Sequence, residues 1–416
     1  MNEKEFALRN TIMSVVHEAI QSCLPDAAVR REMVNLPSQK GKRILIAVGK
    51  AAYQMAKAAI DTGVSFDDGI VITKYHHVEG KLPGIRCFEA GHPILDENTI
   101  RATKEAIDLV KPLNKDDLVV FLVSGGGSAL FELPLVPLEE LKEITNQLLG
   151  CGADIVEINT IRKRLSDVKG GRFARHCAPA KVYNILLSDV LGDNPDMIAS
   201  GPTVPDVSTV AEVEEILAKY PLRLSSEAKA LCRQEAVSTL DNIITVISGS
   251  VSELCHAAAK SLQERGFQTQ ILSTFLSCEA REAGAFIASM AQTFQHTKKP
   301  LAFLFGGETV VHLQGKGKGG RNQELVFGAA RLIEGLDNVC VFSVGSDGTD
   351  GPTDAAGGYV TGETMNKLRA NGLVYRDVLK ENDTYTALSK INQLIKTGST
   401  GTNVNDLSGV LIYPKQ

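Results

Sequence analysis

Short apolar runs of strand length alternate with helical patterns along most of this 416-residue chain. The runs at residues 43–48, 118–123 and 182–187 are mostly apolar, which is typical of buried strands. A turn and then apolar residues at helical spacing follow the first two, and parallel strands need such helical crossovers. This alternation constrains the fold more than any other feature, and it predicts an α/β protein with mainly parallel sheets.

The length of the chain favours two domains, because 416 residues exceed one ordinary hydrophobic core. A connecting region between residues 221 and 242 separates two α/β halves. We place the division after residue 238, which predicts an N-terminal domain of residues 1–238 and a C-terminal domain of residues 239–416.

Composition and charge indicate a soluble globular protein, with 44% hydrophobic residues, 22% charged residues and a net charge of −5. No long basic cluster marks a nucleic-acid surface, and no stretch is apolar enough to span a membrane. The first 23 residues lack the apolar core of a signal peptide, and the 8 cysteines are scattered. These features predict a cytoplasmic protein with no nucleic-acid or membrane partner.

Lys50 follows the first strand directly, in the turn Gly49-Lys50-Ala51-Ala52. A lysine at the start of a helix is unfavourable for the helix dipole, which prefers an anion there. A bound anion would remove this conflict, so Lys50 is a candidate contact for phosphate. The alternative is a solvated surface lysine.

A second candidate anion site follows the strand at residues 118–123. It consists of Ser124, Gly125, Gly126, Gly127 and Ser128. Glycines without a Cβ let backbone amides close around an anion. The alternative is a tightly packed turn without a ligand.

Acidic residues lie at the ends of two other strands. Asp189 and Asp193 follow the run at 182–187, and Asp347 and Asp350 follow the run at 339–344. Strand ends are where α/β proteins place metal ligands and catalytic groups. The sequence therefore predicts Mg²⁺ ligands here, although Asp189 as a cap of the next turn is an alternative.

Residues 305–324 form a third glycine-rich segment after a strand. Gly306, Gly307 and Glu308 come first, four glycines alternate with lysines at 315–320, and Arg321 and Asn322 then begin a helical pattern. The order of strand, glycine loop and helix N-terminus predicts a site for phosphate or carboxylate. A mobile, solvated hairpin is the alternative. Glycine loops, strand-end acids and isolated cations are together the parts that phosphoryl transfer needs.

These segments resemble the glycerate 2-kinase family, whose C-terminal half carries the MOFRL domain. The matching motifs are Val-Gly-Lys-Ala-Ala (48–52), Ala-Gly-His-Pro (90–93), Val-Ser-Gly-Gly-Gly-Ser-Ala (123–129), Ser-Asp-Val-Leu-Gly-Asp (188–193), residues 198–205, Gly-Gly-Glu-Thr (306–309), Gly-Gly-Arg-Asn-Gln-Glu (319–324), residues 347–356 and Gly-Thr-Asn (401–403). They span nearly the whole chain in the order of the family, and the combination is highly specific.

The resemblance implies a Rossmann-like N-terminal domain with a six-stranded parallel sheet, a C-terminal domain with a mixed sheet, and an active site in the cleft between them. The implied reaction is phosphorylation of D-glycerate to 2-phosphoglycerate by ATP with Mg²⁺. Lys50, Asp189 and Arg321 fall on active-site positions of the family. We expect replacement of Lys50 or Arg321 to lower activity without lowering stability, because neither should be a packed core residue. A homodimer is an option that the sequence leaves open.

A dinucleotide-binding enzyme is the competing interpretation. Gly315, Gly317 and Gly320 satisfy Gly-x-Gly-x-x-Gly, and relatives of this family have been labelled hydroxypyruvate reductases, which use NAD(P)H. The fingerprint also expects an acid about 20 residues further on, at the end of the next strand. Position 341 is valine, so the match is incomplete.

Overall fold

The computed structural model describes residues 3–415. Their contacts divide them into two compact units. The first unit comprises Pro25–Ser248, and the second comprises the described residues up to Leu24 together with those from Gly249 onward.

The first unit alternates strands with helices. After helix α1 (Glu3–Ser22), which belongs to the second unit, its elements are α2 (Pro25–Met33), β1 (Arg43–Val48), α3 (Ala52–Asp61), β2 (Asp68–Lys74), β3 (Ile85–Ala90), α4 (Glu97–Val110), β4 (Leu118–Val123), α5 (Gly127–Leu130), α6 (Leu138–Gly150), α7 (Ile155–Arg164), α8 (Arg172–Cys177), β5 (Lys181–Leu186), a 3₁₀ turn (Ile198–Ser200), α9 (Val210–Lys219), α10 (Ser226–Cys232) and β6 (Ile243–Ile247).

The sheet of the first unit has six strands in the order β3-β2-β1-β4-β5-β6, and every pair is parallel. Alternate residues of β1 contribute to separate cores, with Ile44 and Ile46 in one and Leu45 and Ala47 in the other. Apolar side chains on both faces are what a parallel sheet covered by helices requires. The predicted six-stranded parallel sheet is confirmed.

The strand order of this sheet reverses between β1 and β4. The chain runs outward from β1 to β3 and then returns to β4 on the other side of β1. Val48 and Val123 are register partners at the carboxyl ends of these two strands. Open α/β sheets bind ligands in the crevice at such a reversal. The loops that begin at Gly49 and Ser124 therefore flank the expected ligand position.

The second unit contains the remaining elements. They are α11 (Val251–Glu264), β7 (Gln268–Leu276), α12 (Ala280–Phe294), β8 (Leu301–Gly307), α13 (Arg321–Ala330), β9 (Val339–Gly345), β10 (Gly357–Thr361), α14 (Thr364–Ala370), α15 (Tyr375–Glu381), α16 (Thr384–Lys390), β11 (Leu394–Ile395) and β12 (Asp406–Ile412).

The sheet of the second unit is mixed, with the order β11-β10-β9-β12-β8-β7. Only β7 and β8 pair in parallel, and the other pairs are antiparallel. This confirms the mixed sheet that the family resemblance implies. β12 inserts between β8 and β9, so its first residue, Asp406, lies beside Gly307 and Gly345. That register places a carboxylate at the carboxyl ends of two strands.

Two segments pack outside the domains to which the predicted division assigns them. β6 lies after residue 238 yet pairs with β5 in the first sheet. α1 packs within the second unit, where Ile12 and Val16 share a core with Leu254 and Leu262. The division between residues 238 and 239 stays a prediction, because contacts delimit compact units and not units of function.

Candidate functional site

The first two loops of the site are joined at the reversal of the first sheet. The Lys50 amide donates to the Gly125 carbonyl at 2.9 Å, and the Ser124 amide donates to the Val48 carbonyl at 3.0 Å. The Ser124 hydroxyl accepts from the Ala51 amide at 3.0 Å. Ser124 is buried, so its hydroxyl holds the two loops together.

Gly125 and Gly126 let three functional side chains approach the loop. A Cβ added at Gly125 would overlap Asp189 Oδ2, and one at Gly126 would lie 2.9 Å from His92 Nε2 and 3.2 Å from Lys50 Cγ. Gly126 also has a φ of +84°, in the left-handed region that favours glycine. The structure thus brings together Lys50, Asp189 and the glycine loop.

Lys50 supplies the positive charge of this cluster. It is half-buried, and within residues 3–415 its ammonium group pairs with no carboxylate. A half-buried cation without a counter-ion is unusual, because burial without pairing costs free energy. The arrangement is therefore suited to an anion that the protein itself does not provide.

His92 was missed as a site residue, although its motif was noted in the sequence. Burial, followed by the charges of Lys50 and Lys74, lowers the pKa of its imidazole. His92 is consequently neutral at neutral pH, so it offers one donor and one acceptor to a ligand. Its position directly after a strand, in the motif Ala-Gly-His-Pro (90–93), was the available sequence signal.

Ser128, the last residue of the loop, is held in place by side chains from other segments of the first unit. The Ser128 hydroxyl lies 3.2 Å from the Ser200 hydroxyl, and the Ser128 carbonyl accepts from Arg162 and Lys169, each at 3.0 Å. Lys169 is fully buried beside Glu132, at 3.3 Å, and burial lowers its pKa to about 8. These contacts fix α5, so Ser128 contributes to the shape of the loop. Gly127 allows a close approach to Ala199, because a Cβ at position 127 would lie 2.8 Å from the Ala199 side chain.

Asp193 differs from Asp189 in its surroundings. Its Oδ1 atom is buried and has no hydrogen-bond partner among residues 3–415. A buried carboxylate oxygen without a partner is costly unless something else contacts it. Asp193 therefore has a carboxylate oxygen that is available to bind a ligand, such as a metal ion.

Arg321 forms the centre of a cluster in the second unit. Its Nε and NH2 atoms donate to the two Asp406 oxygens at 2.6 and 2.9 Å, and NH1 lies 2.9 Å from Glu308 Oε1. Burial opposes a charge on Arg321, but hydrogen bonds and charge from Asp406, followed by Glu308, raise its pKa above the usual value. The guanidinium fork is thus occupied by the protein's own carboxylates.

Asp406 is the second residue that sequence reasoning missed. It is 4% exposed, and burial raises its pKa to about 6, while the hydrogen bonds and charge of Arg321 oppose that rise. It lies 85 positions from Arg321 in the sequence. Only the insertion of β12 between β8 and β9 brings the two together, and no local pattern indicates that.

Asp350 caps helix α13. Its oxygens accept from the backbone amides of Asn322 and Gln323 at 3.1 and 2.9 Å, and burial raises its pKa. Asn322 is itself buried and accepts from the Ser343 hydroxyl at 2.5 Å. The positive end of this helix is therefore neutralised internally. Asp347 lies in the preceding turn and accepts from the Thr349 amide at 2.9 Å.

The glycine-rich segment before α13 does not form an open cradle for an anion. The amides of Gln314 and Gly315 donate to Asn382, and those of Gly317 and Lys318 donate to Glu381 and Asp383. The anion site predicted for residues 305–324 therefore gains no support from these amides and stays a prediction. The glycines allow the segment to approach the α15–α16 connection closely, where a Cβ would overlap backbone atoms.

Gly306 and Gly307 also serve close packing. A Cβ at Gly306 would overlap Val251 and Cys255, and one at Gly307 would overlap the backbone of Leu276. Both glycines belong to β8, so their immediate role is to let the strand pack closely against its neighbours.

Two general properties complete the site. Residues 3–415 contain no group of three or more histidine, cysteine, aspartate or glutamate side chains in metal-binding proximity. None of the helices in the same range has the length and apolar character needed to span a bilayer.

Comparison with known proteins gives a consistent relationship over the whole chain. Residues 11–233 match a domain of unknown function (DUF4147), and residues 301–406 match the MOFRL family. The chain is 49% identical to D-glycerate 2-kinase of Thermotoga maritima, over 96% of this chain and 97% of that protein. It is 37% identical to a putative hydroxypyruvate reductase of Agrobacterium vitis, over 99% and 96%.

The fold comparison points to the same relatives. The crystal structure of a glycerate kinase from Thermotoga maritima superimposes with a TM-score of 0.93 at 49% identity. The match covers 98% of this chain and 99% of that one.

Proposed function

The chain belongs to the glycerate 2-kinase family, and from this we propose that it phosphorylates D-glycerate at the 2-hydroxyl group, with ATP as the donor. One observation carries the proposal. The ammonium group of Lys50 has no carboxylate partner among the described residues, and it lies beside Gly125 and Gly126 at the reversal of strand order. That position suits a phosphate group.

Each residue of the first cluster then has a proposed task. Lys50 neutralises charge on the phosphoryl oxygens, where an ammonium group acts as a compact point charge. Ser124, Gly125, Gly126, Gly127 and Ser128 shape the loop around the phosphates. Neutral His92 can donate to a phosphate or hydroxyl oxygen without adding charge.

Asp189 is the acid best placed for the acceptor. Its carboxylate adjoins Gly125 and lies near Lys50, so it would either orient the acceptor hydroxyl or hold Mg²⁺. Mg²⁺ in phosphoryl-transfer sites is bound by one or two carboxylates together with substrate phosphates, so a dense acidic cluster is not required. The buried, partnerless oxygen of Asp193 fits this role. If Asp189 holds the ion, it would do so together with Asp193, and the ion would neutralise phosphate charge.

The second cluster is proposed to recognise a substrate anion through Arg321. Its NH1 atom is held by Glu308, which is half exposed and can be displaced more readily than buried Asp406. Gly306, Gly307 and Asn322 shape this region, and Asp350 fixes the helix that carries Arg321. Asp347 is proposed as a further metal contact. That Lys50 and Arg321 serve one reaction stays a prediction.

The reductase alternative loses its main support. The Gly-x-Gly-x-x-Gly match at 315–320 uses its amides at Gly315 and Gly317 for contacts with Asn382 and Glu381. These amides are then not available to a pyrophosphate.

We also propose a cytoplasmic location, which the absence of disulfides among the 8 cysteines supports. A homodimer stays a prediction.

The reaction class can be tested directly. The purified protein should form ADP from ATP only when D-glycerate and Mg²⁺ are both present, and the product should be 2-phosphoglycerate. Coupled ADP assays would be run beside NADH oxidation with hydroxypyruvate. ATP loss without glycerate, or NADH oxidation at a comparable rate, would overturn the assignment.

Gly125→Ala should lower kcat by about a hundredfold, because a Cβ there displaces the Asp189 carboxylate. A displacement of about 1 Å in a catalytic constellation has an effect of that size. The melting temperature should change little, because the displaced atom is the end of a side chain. Gly150→Ala is the matched control, since nothing lies within 4 Å of the added Cβ. Equal kinetic effects in both variants would contradict the role of the close approach.

A further inference from the structure

A cavity of about 800 Å³ lies within the first unit, next to the glycine loop. Gly125, Gly126 and Asp189 border it at the loop, and it extends to residues after β3 and on α6. Cavities of about 300 to 1,000 Å³ accommodate ligands of drug size. Glycerate is a three-carbon acid and is much smaller. The cavity therefore has room for a ligand with a large body attached to the reacting group.

Aliphatic side chains from two separate segments line this cavity. Ile94 follows β3 and is 69% exposed, while Leu149 lies near the end of α6 and is 60% exposed. A single exposed aliphatic side chain is ordinary on a protein surface. Two that border the same cavity provide an apolar surface that a flat ring could cover, which would remove that surface from water. Met197 adds to the same lining.

A polar group accompanies this apolar surface. Asn146 precedes Leu149 by three positions on α6, so the two side chains lie on one face of the helix. Asn146 borders the cavity, and its amide has no hydrogen-bond partner among residues 3–415. An amide offers both a donor and an acceptor. An apolar surface with a few placed polar groups is typical of a small-molecule site.

We infer that this cavity holds the nucleoside of the nucleoside triphosphate, with the base against Ile94 and Leu149. The polyphosphate then extends toward Gly125 and Gly126, which border the cavity, and toward Lys50 beside them. The inference rests on the proposed kinase function, and it adds which part of the protein contacts the base. The hydroxy acid, by contrast, needs no apolar surface of this size.

The test compares two probes that differ only in the nucleoside. ADP and inorganic pyrophosphate, each with Mg²⁺, would be titrated into the full-length protein by calorimetry. The double variant Ile94→Gln/Leu149→Gln should weaken ADP binding by at least about tenfold, the effect expected from losing contact with two aliphatic side chains. Pyrophosphate binding should stay unchanged, because glutamine is uncharged. Both side chains are largely exposed, so folding should not be affected.

Ile155→Gln is the matched control, because Ile155 is 59% exposed in the same unit and does not line the cavity. It should leave ADP binding unchanged. Failure of ADP to bind, unchanged ADP binding in the double variant, or equal weakening of both probes would overturn the inference. So would an increase in KM for glycerate alone. If ADP binding depends on Ile94 and Leu149 but no glycerate is phosphorylated, the inference stands and the proposed function fails.

Discussion

Lys50→Ala should lower kcat by about a thousandfold and leave the melting temperature within about 2 °C of the parent. The loss corresponds to one preorganised charge contact in the transition state, which is worth about 3–4 kcal/mol. Stability should be retained because the Lys50 ammonium group has no carboxylate partner among the described residues, so its removal leaves no buried charge unpaired. Steady-state kinetics and thermal unfolding measure the two effects.

Lys81→Ala is the control for a change of charge alone, since Lys81 is an exposed lysine of the same unit. It should leave both kcat and the melting temperature unchanged. If Lys50→Ala retains more than about a tenth of the parental kcat, its assigned role in charge stabilisation is wrong. The solvated-lysine alternative would then be the better explanation.

The first sheet could be predicted because the sequence patterns that indicate its strands and turns are local. Strands β1 and β4 are nearly continuous apolar runs, and the helix that follows each of them begins at a turn rich in small residues. Parallel pairing follows from the crossovers, and the strand ends then bring Lys50, Gly125 and Asp189 to one edge. The proximity of these three residues could therefore be predicted without any knowledge of contacts, while their roles stay a prediction.

The second unit was harder to predict because its key contacts are not local. Asp406 reaches Arg321 only through the antiparallel insertion of β12, and nothing near either residue indicates that pairing. The glycines at 315–320 suggested an anion cradle, but the same lack of a Cβ also permits close packing. Whether such a segment binds an anion or serves close packing depends on whether another segment accepts hydrogen bonds from its amides. Here Asn382 accepts them.

Arg321→Ala should lower kcat by about a thousandfold, like Lys50→Ala, but it should also destabilise the protein. This differs from the sequence-based expectation of unchanged stability, because Arg321 neutralises buried Asp406 in the structure. Removing one partner of a buried pair costs about 3–5 kcal/mol, and partial exposure of Arg321 reduces that to about 2–3 kcal/mol. The melting temperature should fall by roughly 5–10 °C at pH 7.5.

The size of this destabilisation should depend on pH. The folded-state pKa of Asp406 is about 6, above its ordinary 3.8, so the folded state binds the proton more tightly than the unfolded state. Without Arg321 the pKa of Asp406 lies higher still, because the hydrogen bonds and charge that oppose the rise are gone. The extra cost of the unpaired charge is therefore lost as the pH falls from that higher pKa to about 6. The difference in melting temperature between parent and Arg321→Ala should therefore be largest near pH 7.5 and shrink toward pH 5. A difference that is constant over this range would contradict the pairing.

A double variant separates the structural role of Arg321 from its role in the reaction. In Arg321→Ala/Asp406→Asn no buried charge is left unpaired, so stability should return to within about 1 kcal/mol of Asp406→Asn. Activity should stay low, because the guanidinium group is still missing. Arg321→Lys should recover activity only in part, because an ammonium group cannot reproduce the planar fork. If the double variant regains activity together with stability, Arg321 acts only by holding Asp406, and its proposed contact with a substrate anion is wrong.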